Sequence, residues 1–271
     1  MRLFISGVRK LARRPATYVI FGLLAGLLAL IILAVTATGG GDGGPGRGER
    51  GFDPLALVTF PGAYDQILSF ILGLGGLFAV IYGAAIAGSE WSWGTLKAVV
   101  ARGESRSRYM LSTFAAIAVI VAIGLLATFA IGVGTAAVGA SLAGVPLDGI
   151  GETDALGRLP EHFARGWVAI VAQGALGFAV ATLARSQLAG IGVGIAVYFG
   201  GTFAGVFLPD VVQYLPFQLA NTAVGAGGGF GGGADSTASL SPDTALVLLG
   251  AWLLGALAVA AGFTERAEIT G

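Results

Sequence analysis

Hydrolysis needs a nucleophile with a base in reach, and this chain offers one histidine, His162, with Ser141 or Ser186 as the hydroxyl. No cysteine is present, so thiolate metal sites and disulfides are excluded, and a lone histidine leaves little material for a metal centre. Phosphate binding by a Gly-x-x-x-x-Gly-Lys-Ser/Thr loop is excluded as well. The glycine runs near Gly39 and Gly225 lack the lysine and the strand-to-helix context. What remains is one dense string of charged and aromatic residues from Glu90 to Arg108.

In that string, Glu90, Trp91 and Trp93 precede Gly94 and Thr95, which can break and recap the chain. Leu96, Val99 and Val100 then fall on one face of a short helix, with Lys97 and Arg102 elsewhere. A short amphipathic helix lying parallel to a membrane is expected, followed by Glu104, Arg106 and Arg108. Taken singly, the cations also satisfy the bias of inward-facing loops, and the tryptophans an interfacial aromatic belt.

The elements that hold this string are set by composition. Hydrophobic residues make up 55% of the 271, charged residues only 11%, and the mean hydropathy is +0.85. A soluble domain carries roughly 25% charge, so this chain cannot build a water-facing surface. Uncharged stretches repeatedly reach the length of about 20 residues that crosses a hydrocarbon core. An all-α integral membrane protein with six transmembrane helices is expected, as a single domain over 1–271. The spans are placed at about 17–36, 66–89, 109–137, 166–184, 188–208 and 245–263, with a polar loop over 90–108.

Before the first span, Leu3, Phe4, Val8 and Leu11 recur at helical spacing among Arg2, Arg9, Lys10, Arg13 and Arg14, which predicts an N-terminal amphipathic interfacial helix. A secretory signal peptide is the alternative, although the apolar run exceeds the usual h-region. The charge-free interval from Tyr109 to Leu147 is longer than one crossing, so its last third is expected to be a loop or a partly buried extension. Asp148, Glu152, Asp154 and Glu161 are read as an acidic loop. Between Asp210 and Asp243, Val211, Val212, Leu215 and Leu219 give a short re-entrant or interfacial helix, the alternative being a surface loop. The stretches 39–51 and 225–233 read as glycine-rich loops, and clusters at Gly190, Gly192 and Gly194 and again at Gly201 and Gly205 give the fifth span two small-xxx-small patterns that allow close helix contact.

Alternating loops sort the cations. One set holds Arg2, Arg9, Lys10, Arg13, Arg14, Lys97, Arg102, Arg106, Arg108, Arg185 and Arg266; the other holds Arg47, Arg50, Arg158 and Arg165. The positive-inside rule then puts the first set and both termini in the cytoplasm of a multi-pass cell-membrane protein. Within the expected spans there is no Asp, Glu, Lys, Arg or His, the groups that ion-coupled carriers use for relays. Energy for any movement would have to come through the cytoplasmic loops. Ser186 then falls on the opposite face from His162, and no recognisable elbow surrounds Ser141, which disfavours a hydrolase.

As an ordered whole, the sequence Glu90, aromatic, Gly94-Thr95-Leu96-Lys97, a small apolar turn, Arg102, and Ser105-Arg106-Ser107-Arg108 before the third span resembles the ABC-2-type transporter permeases. The basic start, the Leu183-Ala184-Arg185-Ser186 turn and the Tyr214-Leu215-Pro216-Phe217 element extend the resemblance over nearly the whole chain. Gly103 departs from it where many relatives have proline, and so does Thr113, near a position often occupied by lysine.

The resemblance implies a permease subunit of an ABC exporter, with the cytoplasmic loop forming a coupling helix that docks on a separate ATPase subunit. Glu90, Trp93, Gly94, Thr95, Leu96, Lys97, Val100, Arg102, Arg106 and Arg108 would then carry ATPase coupling. ATP and Mg would be bound by the partner, none by this chain, and a second permease chain, as a homodimer, would complete the complex. The second and fifth spans would line the central seam, making Phe70, Phe78, Tyr82, Tyr198, Phe203 and Phe207 candidate lining residues, with lipid-facing or core packing as the alternative. An uncharged apolar cavity suits an amphipathic or lipid-like substrate. Membrane lipid is an expected partner and nucleic acid is not. A membrane-anchored assembly or immunity protein on the same scaffold is the rival reading.

Overall fold

The computed structural model describes residues 2–39, 54–224 and 240–267. Its helices are α1 (Arg2–Ala12), α2 (Pro15–Gly39), α3 (Gly62–Ser92), α4 (Thr95–Ala101), α5 (Arg106–Ala143), α6 (Thr153–Ala184), α7 (Gln187–Phe207), α8 (Pro209–Val212), α9 (Pro216–Val224) and α10 (Pro242–Arg266). Among the described residues there is no strand. Six of the helices, α2, α3, α5, α6, α7 and α10, are long and apolar enough to cross a membrane, the architecture of a multi-pass membrane protein. The two glycine-rich loops expected from the sequence, with Arg47 and Arg50, lie outside the described residues.

Two helix boundaries differ from the expected spans by six residues or more. The helix of the third span continues past 137: α5 runs unbroken to Ala143, because no proline interrupts it, and ends where Gly144 takes a left-handed φ of 70°. The acidic stretch before the fourth span is not a loop over its whole length, since α6 starts at Thr153 and holds Asp154, Pro160 and Glu161. Asp154 sits in the first turn of α6, where the helix dipole favours a carboxylate. The other spans are extended by a few residues at their ends or shifted by one.

α3 and α6 form the centre of the bundle, and α7 and α10 are the least buried of the spanning helices. Glycine sets the central contact. A Cβ on Gly83 would strike the Gly174 carbonyl, and one on Gly177 would strike the Val80 carbonyl, so the α3 and α6 backbones approach to a distance only hydrogen side chains permit. Gly190 and Gly194 of α7 face Ala84, Ala181 and Val80, so this small-xxx-small pair serves packing within the chain. Towards the other end of α3, where α2 and α5 pack on it, Leu28, Ile32, Ile67 and Ile71 are fully buried. Edge-to-face ring pairs, Phe114–Phe178 at 5.3 Å and Phe129–Phe163 at 4.8 Å, join α5 to α6.

The helices alternate in direction, and contacts sort their ends into two groups. At one end lie α1, the C-terminal turns of α3 and α10, α4, the start of α5 and the turn between α6 and α7. At the other, Tyr64 donates to the Ile150 carbonyl at 2.6 Å and His162 lies 3.8 Å from Asp65. There too Arg165 of α6 pairs with Asp243 of α10 at 2.8 Å. Both described chain ends therefore lie at the same end of the bundle. α8 and α9 fold back at the other, where Leu219, Ala220 and Ala223 pack against Ala169, Ala172, Ala245 and Leu249.

Candidate functional site

The sequence reading put Glu90 in a polar loop; in the structure it occupies the last turn of α3 and has no exposed surface. A buried carboxylate is tolerated only with partners that replace its hydration. Lys10 Nζ donates to its two oxygens at 2.7 and 2.9 Å, Arg14 Nη2 donates at 3.2 Å, and the Tyr109 hydroxyl donates at 2.7 Å. Arg14 also donates to Ser89 Oγ at 2.9 Å, and its guanidinium lies 4.8 Å from the centre of the Trp93 ring. One carboxylate thus fastens α1 and the α1–α2 junction to α3 and α5. Lys10 and Arg14 reach it together because they are four residues apart and flank the break before Pro15.

Beside this latch, Arg185 caps α6 in a left-handed conformation with φ 50°. Its guanidinium lies 5.1 Å from the Trp91 ring and 5.5 Å from the Phe263 ring, bridging α3 and α10 by cation–π contact. The Ser105-Arg106-Ser107 segment does similar joining. Ser105 caps α5 by accepting from the Arg108 amide, Ser107 Oγ donates to Glu265 at 2.7 Å, and Arg106 Nη1 donates to the Ala267 carbonyl at 2.6 Å. The start of α5 and the end of α10 are tied by these bonds.

Between α3 and α5 stands the short helix α4. Gly94 and Gly103 bound it with φ of 66° and 76°, both left-handed. The Glu104 amide bonds back to the Val99 carbonyl at 3.3 Å, the closing bond of a Schellman cap with Gly103 at its left-handed position. Proline could not serve at Gly103, because its ring holds φ near −65°. Leu96 and Val99 are buried, while Lys97, Ala98, Arg102 and Arg108 are exposed and Trp93 is 70% exposed. Thr95 and Arg106 are half-buried, and the Val100 side chain lies outside the described residues.

The candidate lining aromatics do not meet in one place. Phe78 and Tyr82 face a small apolar cavity of about 20 Å³ among α2, α3, α5 and α6, which also receives Phe21 and Ile170. Tyr82 is fully buried, shares a hydrogen bond with Thr17 at 2.8 Å and meets Phe21 edge-on at 6.2 Å. Phe70 is half-buried against the core. Tyr198 lies elsewhere, donating to the Gly73 carbonyl at 2.8 Å and meeting Phe217 edge-on at 4.9 Å. Phe203 and Phe207, 71% and 81% exposed, point outward from α7.

Of the residues considered for hydrolysis, Ser141 Oγ donates to the Ala137 carbonyl, Ser186 caps α7 at the latch end, and His162 neighbours Asp65 at the opposite end. Lys10, Arg14, Tyr109 and Arg185 were not identified as site residues from sequence. The available signal was a single carboxylate closing a long apolar helix, which demands cations from elsewhere in the chain.

No curated protein matches the chain. A family model does, over residues 56–261, from just before α3 into α10, so that Glu90 and Tyr109 fall inside the match and Lys10 and Arg14 before it. The matched portion covers most of the chain, and the protein therefore belongs to the family described as Protein of unknown function (DUF2705).

Proposed function

We propose that this chain is the membrane-spanning permease subunit of an ATP-driven transporter of the ABC-2 type, with the latch end in the cytoplasm. The observation that carries the reading is α4, whose Leu96 and Val99 insert into the bundle while Lys97 and Arg102 face outward. Capped at both ends and joined to α3 and α5 by short turns at Gly94 and Gly103, it is built as a rigid handle rather than a flexible loop. A soluble companion that pushed on its outer face would displace α3 through Gly94 and α5 through Ser105.

In this reading α4 is the coupling helix and α1 the amphipathic interfacial helix. Ile5 and Arg9 of α1 and Arg13 just after it are exposed, and Leu11 is buried. Glu90 makes the push collective, because α1, α3 and α5 share its carboxylate. Nucleotide and Mg²⁺ belong to the companion ATPase, which supplies the free energy. A second copy of the permease completes the complex through α7, whose outward face shows Leu188, Phe203 and Phe207. The uncharged, apolar interior favours an amphipathic or lipid-like cargo moved outward.

Co-purification with a nucleotide-hydrolysing ABC subunit, sought among the products of neighbouring genes, tests the reading. Arg102→Asp should abolish retention of that companion while leaving the melting temperature unchanged, and Leu96→Asp should uncouple its hydrolysis from transport. Retention and transport at wild-type levels in both variants would overturn the assignment of α4. The absence of any neighbouring ATPase gene would favour a membrane-anchored assembly or immunity protein instead.

A further inference from the structure

Two cations at the start of the chain are left unanswered by the rest of the molecule. Arg9 of α1 and Arg13 just after it are exposed, four residues apart, and among the described residues neither has a hydrogen bond or an ion pair. Like charges at that spacing repel each other. The other two cations of the region are already neutralised, since Lys10 and Arg14 both pair with Glu90. The latch therefore absorbs one half of the basic charge and turns the other half outward.

With Ile5, Ser6 and Lys10, the two arginines line an open trough of about 430 Å³ along α1, and no carboxylate enters its wall. Ser6 Oγ donates to the Leu3 carbonyl at 2.8 Å, so its hydroxyl proton is taken and its small side chain leaves the trough clear. The trough sits beside the start of a spanning helix, because α2 begins at Pro15. α1 also packs along the first turns of α5, where Lys10 meets Tyr109 and a Cβ on Gly7 would lie 3.2 Å from that of Ala116. Exposed Tyr18, in the first turn of α2, donates to the Ala12 carbonyl at 2.6 Å, and exposed Trp93 lies against Arg14. Exposed aromatic rings with a polar edge gather at the membrane–water interface, which puts the α1–α2 junction at the depth of the lipid heads.

We propose that this trough binds the phosphodiester head of an anionic phospholipid, Arg9 and Arg13 donating to its non-bridging oxygens while its acyl chains stay in the leaflet. An anion held by both guanidiniums replaces their repulsion with charge-assisted hydrogen bonds. A zwitterionic head brings an ammonium that the same cations repel, so a head of net negative charge is selected. Lipid is selected over a soluble anion because the leaflet presents phosphate at this depth in high local concentration. From the proposed function the inference takes only the interfacial placement of α1, and it needs no ATPase.

The full chain in detergent, without any companion, should retain dioleoylphosphatidylglycerol in native mass spectrometry about 30-fold more strongly than dioleoylphosphatidylcholine, each arginine at the interface contributing about fivefold. Arg9→Gln or Arg13→Gln should cut that preference about fivefold, and the double variant should remove it. Because both side chains are exposed and unpaired, the lipid-free melting temperature should not change. Ser6→Glu, which adds a carboxylate to the trough and removes no cation, should also remove the preference. Arg102→Gln combined with Arg266→Gln, which takes two cations from α4 and α10 at the same end, should leave it intact. Equal retention of the two lipids by the wild type, a preference that survives in the Arg9 and Arg13 double variant, or one lost equally in the Arg102 and Arg266 control would overturn the proposal. Displacement of the lipid by millimolar inorganic phosphate would assign the trough to a soluble anion and overturn it too. Lipid preference without ATPase retention would leave this site standing and remove the transport reading; ATPase retention without lipid preference would do the reverse.

Discussion

Glu90 sets the electrostatics of its end of the bundle. Two cations and a phenol surround one carboxylate with no exposed surface, so removing the carboxylate strands charge rather than merely deleting a contact. Breaking a buried pair by deleting one partner costs about 3–5 kcal/mol, far above the 0–1 kcal/mol of an exposed pair such as Arg165–Glu161. Glu90→Ala should accordingly lower the unfolding free energy by about that amount, whereas Glu161→Ala should change it by less than about 1 kcal/mol. Lys10→Ala combined with Glu90→Ala should cost less than the sum of the single changes, and additive losses would mean that the two side chains do not interact. Gly103→Ala forces a Cβ into a left-handed residue and should cost about 1–2 kcal/mol, read by the same unfolding measurement.

At the scale of the helices, the contact between α3 and α6 depends on hydrogen side chains at Gly83, Gly174 and Gly177. Gly83→Val would push a branched side chain into the Gly174 carbonyl, and overpacking of that kind costs about 1–3 kcal/mol. Gly192→Val on α7, which meets nothing within 4 Å, should leave the melting temperature nearly unchanged. If both variants melted alike, the glycine contact would not be what brings the two central helices together. α4 differs from the spanning helices in kind. It is seven residues long, too short to be stable alone, and it persists because Leu96 and Val99 are buried and both of its ends are capped by left-handed glycines.

The whole molecule is polarised. Exposed Arg9, Arg13, Lys97, Arg102 and Arg108 sit at the latch end, and exposed Asp65, Asp148, Glu152, Asp154, Glu161, Asp210 and Asp243 lie towards the opposite end. The bias of Lys and Arg is the ground for the proposed orientation, with the basic end inward. Because the chain has no cysteine, single-cysteine variants report directly on this. Ser241→Cys should react with a membrane-impermeant maleimide in intact cells, and Ser105→Cys only after permeabilisation. The reverse pattern would place α4 on the external face and remove the proposed ATPase docking with it.

The spanning helices were legible in the sequence because crossing a bilayer needs nothing more than a long run of apolar residues, a local property. A short helix after Gly94 was legible for the same reason, since its signals lie within seven residues. Helix ends were less so: α6 starts well before its uncharged segment and α5 ends within its own, because a helix stops at a cap or a breaker rather than at a charge. The latch was not legible at all. Glu90 looked like one more loop charge until α1 and α5 brought Lys10 and Tyr109 to it from 80 and 19 residues away. In the same way, only helix packing decided that the candidate lining aromatics do not meet in one place and that Gln173 Oε1 is buried without a hydrogen-bond partner. Hydropathy is written residue by residue along the chain, but the pairing of buried polar groups is fixed only when distant helices are set side by side.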